Sequence, residues 1–369
     1  MAQFVLLIIF IFIFSLQSCG VDGARNISIT LLKNALAKGA VCLDGSPPAY
    51  AYSRGFGDGA DNWHVYLQGG GWCDSRGSCL DRSKNEYGSS TVIMATKNGT
   101  ITFRGMLADN STFNPDFYNW NVVYIFYCDG SSFMSDIEEV HNLTYRGGRI
   151  YEAMMDELLR MGMGNAKNAL LSGTSAGGLA TILHCDKFQA LFPDSTRVKC
   201  LSDSGFFIRG QYFTGADLRE GRFYGVVKTN KLENLLPTSC TTKFNPILLS
   251  ENVFNGKSLS PSWYNCTQID LMLCNWTDLQ TMKDFRTTFI QTLKSTIVDS
   301  SSRRGYFVHS CYRHGHITEN FYSTCSSLFG NNILANKIVA QAVGDWYFDR
   351  SKFEEIDILN DLPRKCSFC

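Results

Sequence analysis

One serine stands out for its neighbours: Ser175 in Gly173-Thr174-Ser175-Ala176-Gly177-Gly178 has a glycine two residues away on either side. The apolar run Ala169–Leu171 leads into it, and a helix-compatible segment, Leu179–Cys185, leaves it. Strand, sharp turn and helix in that order form the nucleophile-elbow pattern G-x-S-x-G. The spacing has a chemical reason. A strained turn pushes the seryl oxygen clear of the backbone, and each glycine removes a Cβ that would collide with strand or helix. The amide of Ala176, at the helix N-terminus, then points where an oxyanion would develop. A small-residue turn closing a strand would use similar residues, but the fitting strand and helix favour a nucleophile.

A seryl nucleophile needs a general base, and histidine serves because its pKa lies near neutrality. The chain has six histidines: His64, His141, His184, His309, His314 and His316. On α/β-hydrolase sheets the triad runs Ser…acid…His, so the base should follow Ser175 at a distance. His184 falls within the elbow helix and reads as packed, and His309 alternates into a strand. His314 and His316 lie on the loop where a base belongs. The second oxyanion donor is expected from Gln68-Gly69-Gly70-Gly71-Trp72-Cys73, where three glycines after an early strand let amides face a ligand.

These groups need a sheet to hold them. Trp63–Leu67 and Val122–Tyr127 read as strands, the latter dense in β-branched and aromatic residues. Arg149–Met161 has a helical stripe of Ile150, Met154 and Leu158. Ala169–Ser172 and Val198–Leu201 flank the elbow helix as further strands, giving β-α-β-α-β and a largely parallel sheet. Asp203-Ser204-Gly205 closes the last of these on the ligand-binding side. Asp129, after Val122–Tyr127, reads as a turn-forming or capping residue rather than a catalytic one. Leu279–Ile297 is expected as a surface helix, Tyr306–His309 as a short strand, and Ala335–Phe348 as a sheet-covering helix. No repeat, low-complexity block or linker divides the chain, so one domain is expected over residues 21–369.

Composition limits the function classes. Lys plus Arg and Asp plus Glu are 34 each, so no global field draws the chain to nucleic acid or membrane. Phe4–Leu16 is a continuous apolar run followed by small residues at Ser18-Cys19-Gly20, which reads as a signal peptide over residues 1–20. It is too short to span a bilayer, and no membrane span is expected in the mature chain. Acceptor sequons at Asn26, Asn98, Asn110, Asn142, Asn265 and Asn275 agree with secretion and glycosylation. So do 14 cysteines, most of which an oxidising compartment would pair. Cys73/Cys79 and Cys366/Cys369 lack the second CxxC or histidine pair of a zinc site, so no metal is expected.

The stretches CLDGSPPAY (42–50), GGGWC (69–73), GSS (88–90), FNPDFYNWN (113–121), YCDGSSF (127–133), ALLSGTSAGGLATILHCD (169–186), CLSDSGFF (200–207) and VGDWYFDR (343–350) resemble plant pectin acetylesterases, relatives of the animal Notum carboxylesterases. The resemblance implies an α/β-hydrolase-like fold, a mostly parallel sheet flanked by helices in a single domain. It also implies a secreted, monomeric cell-wall enzyme that removes acetyl groups from pectin without a cofactor. It assigns Ser175 as nucleophile, His314 as base, and Gly71, Trp72 and Ala176 as oxyanion amides. Thr174 replaces the family's usual Cys, Gln68 its usual Glu, and Gly315 and Ile358 stand where it shows cysteines. The interval from Cys240 to Cys266 is shorter than the family's and holds no aspartate. Ungapped alignment of Pro246–Asn255 puts Asn255 on the catalytic aspartate's position, with Glu251 or Asp270 as substitutes if that strand is missing. Two functions therefore stay open: an acetylesterase, or an impaired or inactive member that binds wall polysaccharide.

Overall fold

A computed structural model describes residues 25–140, 142–208, 216–236, 266, 271–296, 304–311, 313–319, 333–358 and 362. The strands are β1 (Arg25–Leu31), β2 (Ala49–Ser53), β3 (Asn62–Leu67), β4 (Thr100–Phe103), β5 (Asn121–Ile125), β6 (Ile137–Val140), β7 (Leu143–Tyr145), β8 (Asn168–Thr174), β9 (Arg197–Asp203), β10 (Tyr306–Val308) and β11 (Glu354–Ile356). The helices are α1 (Arg76–Arg82), α2 (Ser90–Thr96), α3 (Gly147–Arg160), α4 (Ala176–Gln189), α5 (Ala216–Thr229), α6 (Trp276–Thr296) and α7 (Val339–Tyr347). The leader, Asn255, Glu251, Asp270, Asn265 and Cys366/Cys369 lie outside the described residues.

The main sheet has seven strands in the order β4-β1-β2-β5-β3-β8-β9. β5, β3, β8 and β9 are parallel, as expected. The other half corrects the expectation of a mostly parallel sheet, because β4-β1, β1-β2 and β2-β5 all pair antiparallel. The alternating exposed and buried residues of β1 suit this antiparallel half, where one face meets water. β3 is instead buried over Trp63–Leu67, the near-continuous apolar run of a strand covered on both faces.

Alternation along the parallel strands feeds two cores. Val65, Leu67, Val123, Ile125, Ala169 and Leu171 pack with α3 and with Ala176, Ala180 and Phe188 of α4. Tyr66, Val122 and Leu170 point the other way, onto Val339, Ala340, Val343 and Tyr347 of α7. Each fully buried leucine of this kind contributes about 1.5–3 kcal/mol. Tyr347 anchors α7 by donating its hydroxyl to the carbonyls of Ala169 (3.2 Å) and Arg197 (2.9 Å). α7 starts later than the periodicity suggests, because Ala335 and Asn336 take positive φ in a tight turn closed by the Leu334–Lys337 bridge.

Disulfides join Cys42–Cys128, Cys73–Cys79, Cys185–Cys200 and Cys266–Cys274, and Cys311 is also disulfide-bonded. Cys73–Cys79 closes the loop after β3, and Cys185–Cys200 ties α4 to β9, so two of them brace the neighbourhood of Ser175. Among the described residues no helix is long and apolar enough to cross a membrane, and no cluster of His, Cys, Asp or Glu is arranged to hold a metal ion.

Candidate active site

Ser175 sits between β8 and α4 with φ 62 and ψ −124, a backbone conformation that costs a non-glycine residue of order 1–3 kcal/mol. Hydrogen bonds hold it there: the Ser175 N–H donates to the Asp203 carbonyl (2.9 Å), and the Leu179 N–H donates to the Ser175 carbonyl (2.9 Å). Close packing explains the flanking glycines. A Cβ on Gly177 would meet the Leu67 carbonyl oxygen at 2.1 Å, and one on Gly173 would meet that of Gly177 at 2.3 Å.

The glycine loop after β3 lies directly against this turn. A Cβ on Gly69 would stand 2.1 Å from the Thr174 carbonyl oxygen and 3.0 Å from the Ser175 Cβ. Gly70 and Gly71 both have positive φ. Their carbonyls are occupied elsewhere, Gly70 accepting from Arg82 Nη2 (2.7 Å) and Gly71 from the Tyr127 hydroxyl (2.8 Å). Two of the loop's carbonyls are thus held by donors within the protein. Trp72 is fastened by its indole N–H to Ser132 Oγ (2.7 Å), which donates to the Ala176 carbonyl (2.8 Å). Ser132 thus links Trp72 to Ala176, the residue that follows Ser175. Gln68 Oε1 accepts from the Tyr127 N–H (2.9 Å) and fixes the start of the loop.

Asp129 is a buried turn residue whose Oδ2 accepts from the Ser131 N–H, the Ser131 hydroxyl and the Phe133 N–H. Burial raises its pKa, and those bonds only partly offset the rise. His184 is packed, stacked on Tyr151 at 3.9 Å, with Nε2 3.0 Å from the Phe133 carbonyl. Burial, with the charge of Lys187, lowers its pKa to about 4. His64 is buried 2.6 Å from Ser172 Oγ, and burial lowers its pKa to about 3. Neither imidazole belongs to the site.

The loop carrying His314 and His316 does reach the elbow. Gly315 packs on Thr174, whose Cγ2 would lie 2.9 Å from an added Cβ. His314 is exposed, and the imidazole engaged by a carboxylate is that of His316. Its Nδ1 donates to Asp203 Oδ1 (2.7 Å), while Asp203 Oδ2 accepts from the N–H groups of His316 (2.7 Å) and Ile317 (3.2 Å) and from the Thr174 hydroxyl (2.9 Å). Burial by itself would raise the Asp203 pKa. The hydrogen bonds and charge of His316 and the Ile317 N–H outweigh it and bring the group to about 2. Among the described residues no hydrogen bond joins Ser175 Oγ to an imidazole. Sequence reasoning passed over Asp203 and His316 as partners. Their only signals were an aspartate at the carboxyl end of the strand beside the elbow and a second histidine in the loop.

The four glycosylation candidates Asn26, Asn98, Asn142 and Asn275 are exposed, and Asn110 is half-buried.

A strained serine on a strand–turn–helix, facing a glycine loop at the carboxyl edge of parallel strands, defines the α/β-hydrolase-like class. The structure of the Wnt deacylase Notum from Drosophila shares this fold, with a TM-score of 0.69 over 93% of this chain and 100% of that one, at 19% identity. The family model described as Pectinacetylesterase matches residues 22–261 and 247–367. Pectin acetylesterase 11 of Arabidopsis thaliana is 40% identical over 367 residues, covering 91% of each chain. Palmitoleoyl-protein carboxylesterase NOTUM of Mus musculus is 33% identical over 187 residues, 48% of this chain and 35% of that protein. The chain belongs to the pectin acetylesterase family, a family of carboxylic ester hydrolases.

Proposed function

We propose that the protein is a secreted, monomeric serine esterase that removes acetyl groups from cell-wall pectin through an acyl-enzyme. The observation that carries this reading is the strained Ser175 backbone with the Gly69–Trp72 loop packed against it. Ser175 Oγ attacks the acetyl carbonyl carbon as His314 takes its proton. The amides of Gly71, Trp72 and Ala176 hold the oxyanion. The sugar hydroxyl leaves with the proton returned by His314, and water attacks the acetyl-serine to release acetate. Around Trp72, Phe207 (5.0 Å between ring centroids) and Phe223 (5.3 Å) form a partly exposed aromatic rim, a surface against which apolar sugar faces can lie. The leader and the exposed sequons support passage through a secretory route.

The test uses protein recovered from the medium of expressing plant cells, where a glycosidase should increase its mobility. Ser175→Ala should abolish acetate release from acetylated pectin and from p-nitrophenyl acetate; equal rates above buffer would remove Ser175 from the mechanism. A second reading, a member that binds wall polysaccharide without hydrolysing it, is favoured by the amide at Asn255 in the position aligned with the family's acid. In that case wild type and Ser175→Ala would both bind pectin, and both would leave its acetyl groups in place.

A further inference from the structure

Asp203 lies at the C-terminal end of β9, directly opposite Thr174 in the sheet register. Its main-chain carbonyl takes the Ser175 N–H, and its carboxylate takes the Thr174 hydroxyl on one side and three N–H donors of His316 and Ile317 on the other. One buried residue thus touches the strand that carries the nucleophile and the loop that carries the base. The loop is also held by the Met106 N–H, which donates to the Ile317 carbonyl (2.7 Å), and its Gly315 N–H donates to Ser204 Oγ (3.1 Å) and Arg313 Nε to the Gly315 carbonyl (2.9 Å). Ser204 neighbours Asp203 in sequence, and the Arg313 bond lies within the loop itself. Gly315, with φ 89, seats against the Thr174 methyl without room for a side chain. His314 therefore sits one residue before the anchored Gly315 and two before His316, and its own side chain is exposed.

We propose that Asp203 is a positioning residue for ester hydrolysis, its carboxylate fastening residues 313–317 to the elbow and thereby setting where the His314 imidazole stands relative to Ser175. The proposal rests on the reading of the site given above. It deepens that reading by naming what fixes the base when the base is on a loop and the nucleophile is on the sheet. The chemistry suits the task. A carboxylate accepts several N–H and O–H donors at once, and charge-assisted bonds of this kind are about twice as strong as neutral ones. An amide at the same place accepts through one oxygen only and presents an NH₂ to donors it cannot bond.

The experiment compares wild type, Asp203→Asn, Thr174→Val, His316→Gln and Ser175→Ala on p-nitrophenyl acetate, with hydrogen exchange read over residues 313–319. A base displaced by about 1 Å loses on the order of 100-fold in turnover. Asp203→Asn should lower kcat by about that factor with KM unchanged, and exchange in 313–319 should quicken while the strands keep their protection. Thr174→Val and His316→Gln each remove one bond of the clamp and should lower kcat by less than about tenfold, again at constant KM. They carry the test if Asp203→Asn does not fold. Wild-type kcat in both, or unchanged exchange in Asp203→Asn, overturns the proposal. Loss in His316→Gln as complete as in Ser175→Ala also overturns it, because His316 would then be the base. If wild type is no more active than Ser175→Ala, it is the esterase reading that fails. The exchange measurement then decides alone whether Asp203 fastens the loop.

Discussion

Gly69→Ala is the most direct probe of the oxyanion loop. The added methyl would lie 2.1 Å from the Thr174 carbonyl oxygen and 3.0 Å from the Ser175 Cβ. Non-bonded heavy atoms settle near 3.5 Å, so the contact is short by about 1.4 Å. Thr174 cannot yield readily, since it ends β8 opposite Asp203 of β9 and follows Gly173, which is paired with Leu67 of β3. The loop must move instead, carrying the Gly71 and Trp72 amides away from the oxyanion position. Removing one such donor costs about 10²–10³ in kcat, roughly 2.7–4 kcal/mol. Gly69→Ala should therefore lower kcat for p-nitrophenyl acetate about 100-fold or more, with little change in KM, because the donors act chiefly on the transition state. Gly77→Ala is the control: its Cβ meets nothing within 4 Å, and it lies in helix α1 just beyond the loop. Wild-type turnover in a folded Gly69→Ala protein would refute the placement of the oxyanion donors.

Two further outcomes are expected. His64 and His184, with pKa values lowered by burial to about 3 and about 4, stay neutral in the folded chain while their unfolded counterparts protonate below about 6.5. Stability should thus fall as pH drops through that window, by about 2 kcal/mol for each histidine between pH 7 and pH 5; a urea midpoint unchanged over this range would contradict it. Asn255→Asp should raise kcat by as much as about 10⁴-fold, roughly 5.5 kcal/mol, at nearly constant KM, because a triad carboxylate stabilises the imidazolium of the transition state; no gain would sink the ungapped alignment of Pro246–Asn255.

The elbow, the glycine loop and the parallel strands were legible in the sequence because each is a local pattern. β-branched and aromatic runs mark β3 and β5, an apolar run marks β8, and glycine spacing marks the turn. The antiparallel half was not legible. β1 pairs with β2 and β4 across long stretches of chain, and neither partner announces its neighbour by local pattern. The clamp was hidden for a related reason. That Thr174 stands opposite Asp203 is a fact of register, set when β8 and β9 pair through seven consecutive positions. A one-residue slip would send the Asp203 side chain to the other face of the sheet. Sequence alone identified an aspartate closing a strand and two histidines on one loop, but not which histidine met the carboxylate.

The register also bears on how a strained serine and a loop-borne base keep a common geometry. Ser175 holds a conformation costing of order 1–3 kcal/mol, which persists only where its surroundings over-determine it. Its N–H is bonded to the Asp203 carbonyl, and the Asp203 carboxylate is bonded to the histidine loop. One path from Ser175 to residues 313–317 therefore runs through the main chain and side chain of a single residue, itself fixed by β9. A path through layers of packed side chains would accumulate small displacements at each contact. β9 is covalently tied to the elbow helix through Cys185–Cys200, so the strand end that holds residues 313–317 through Asp203 is also fastened to the helix that follows Ser175.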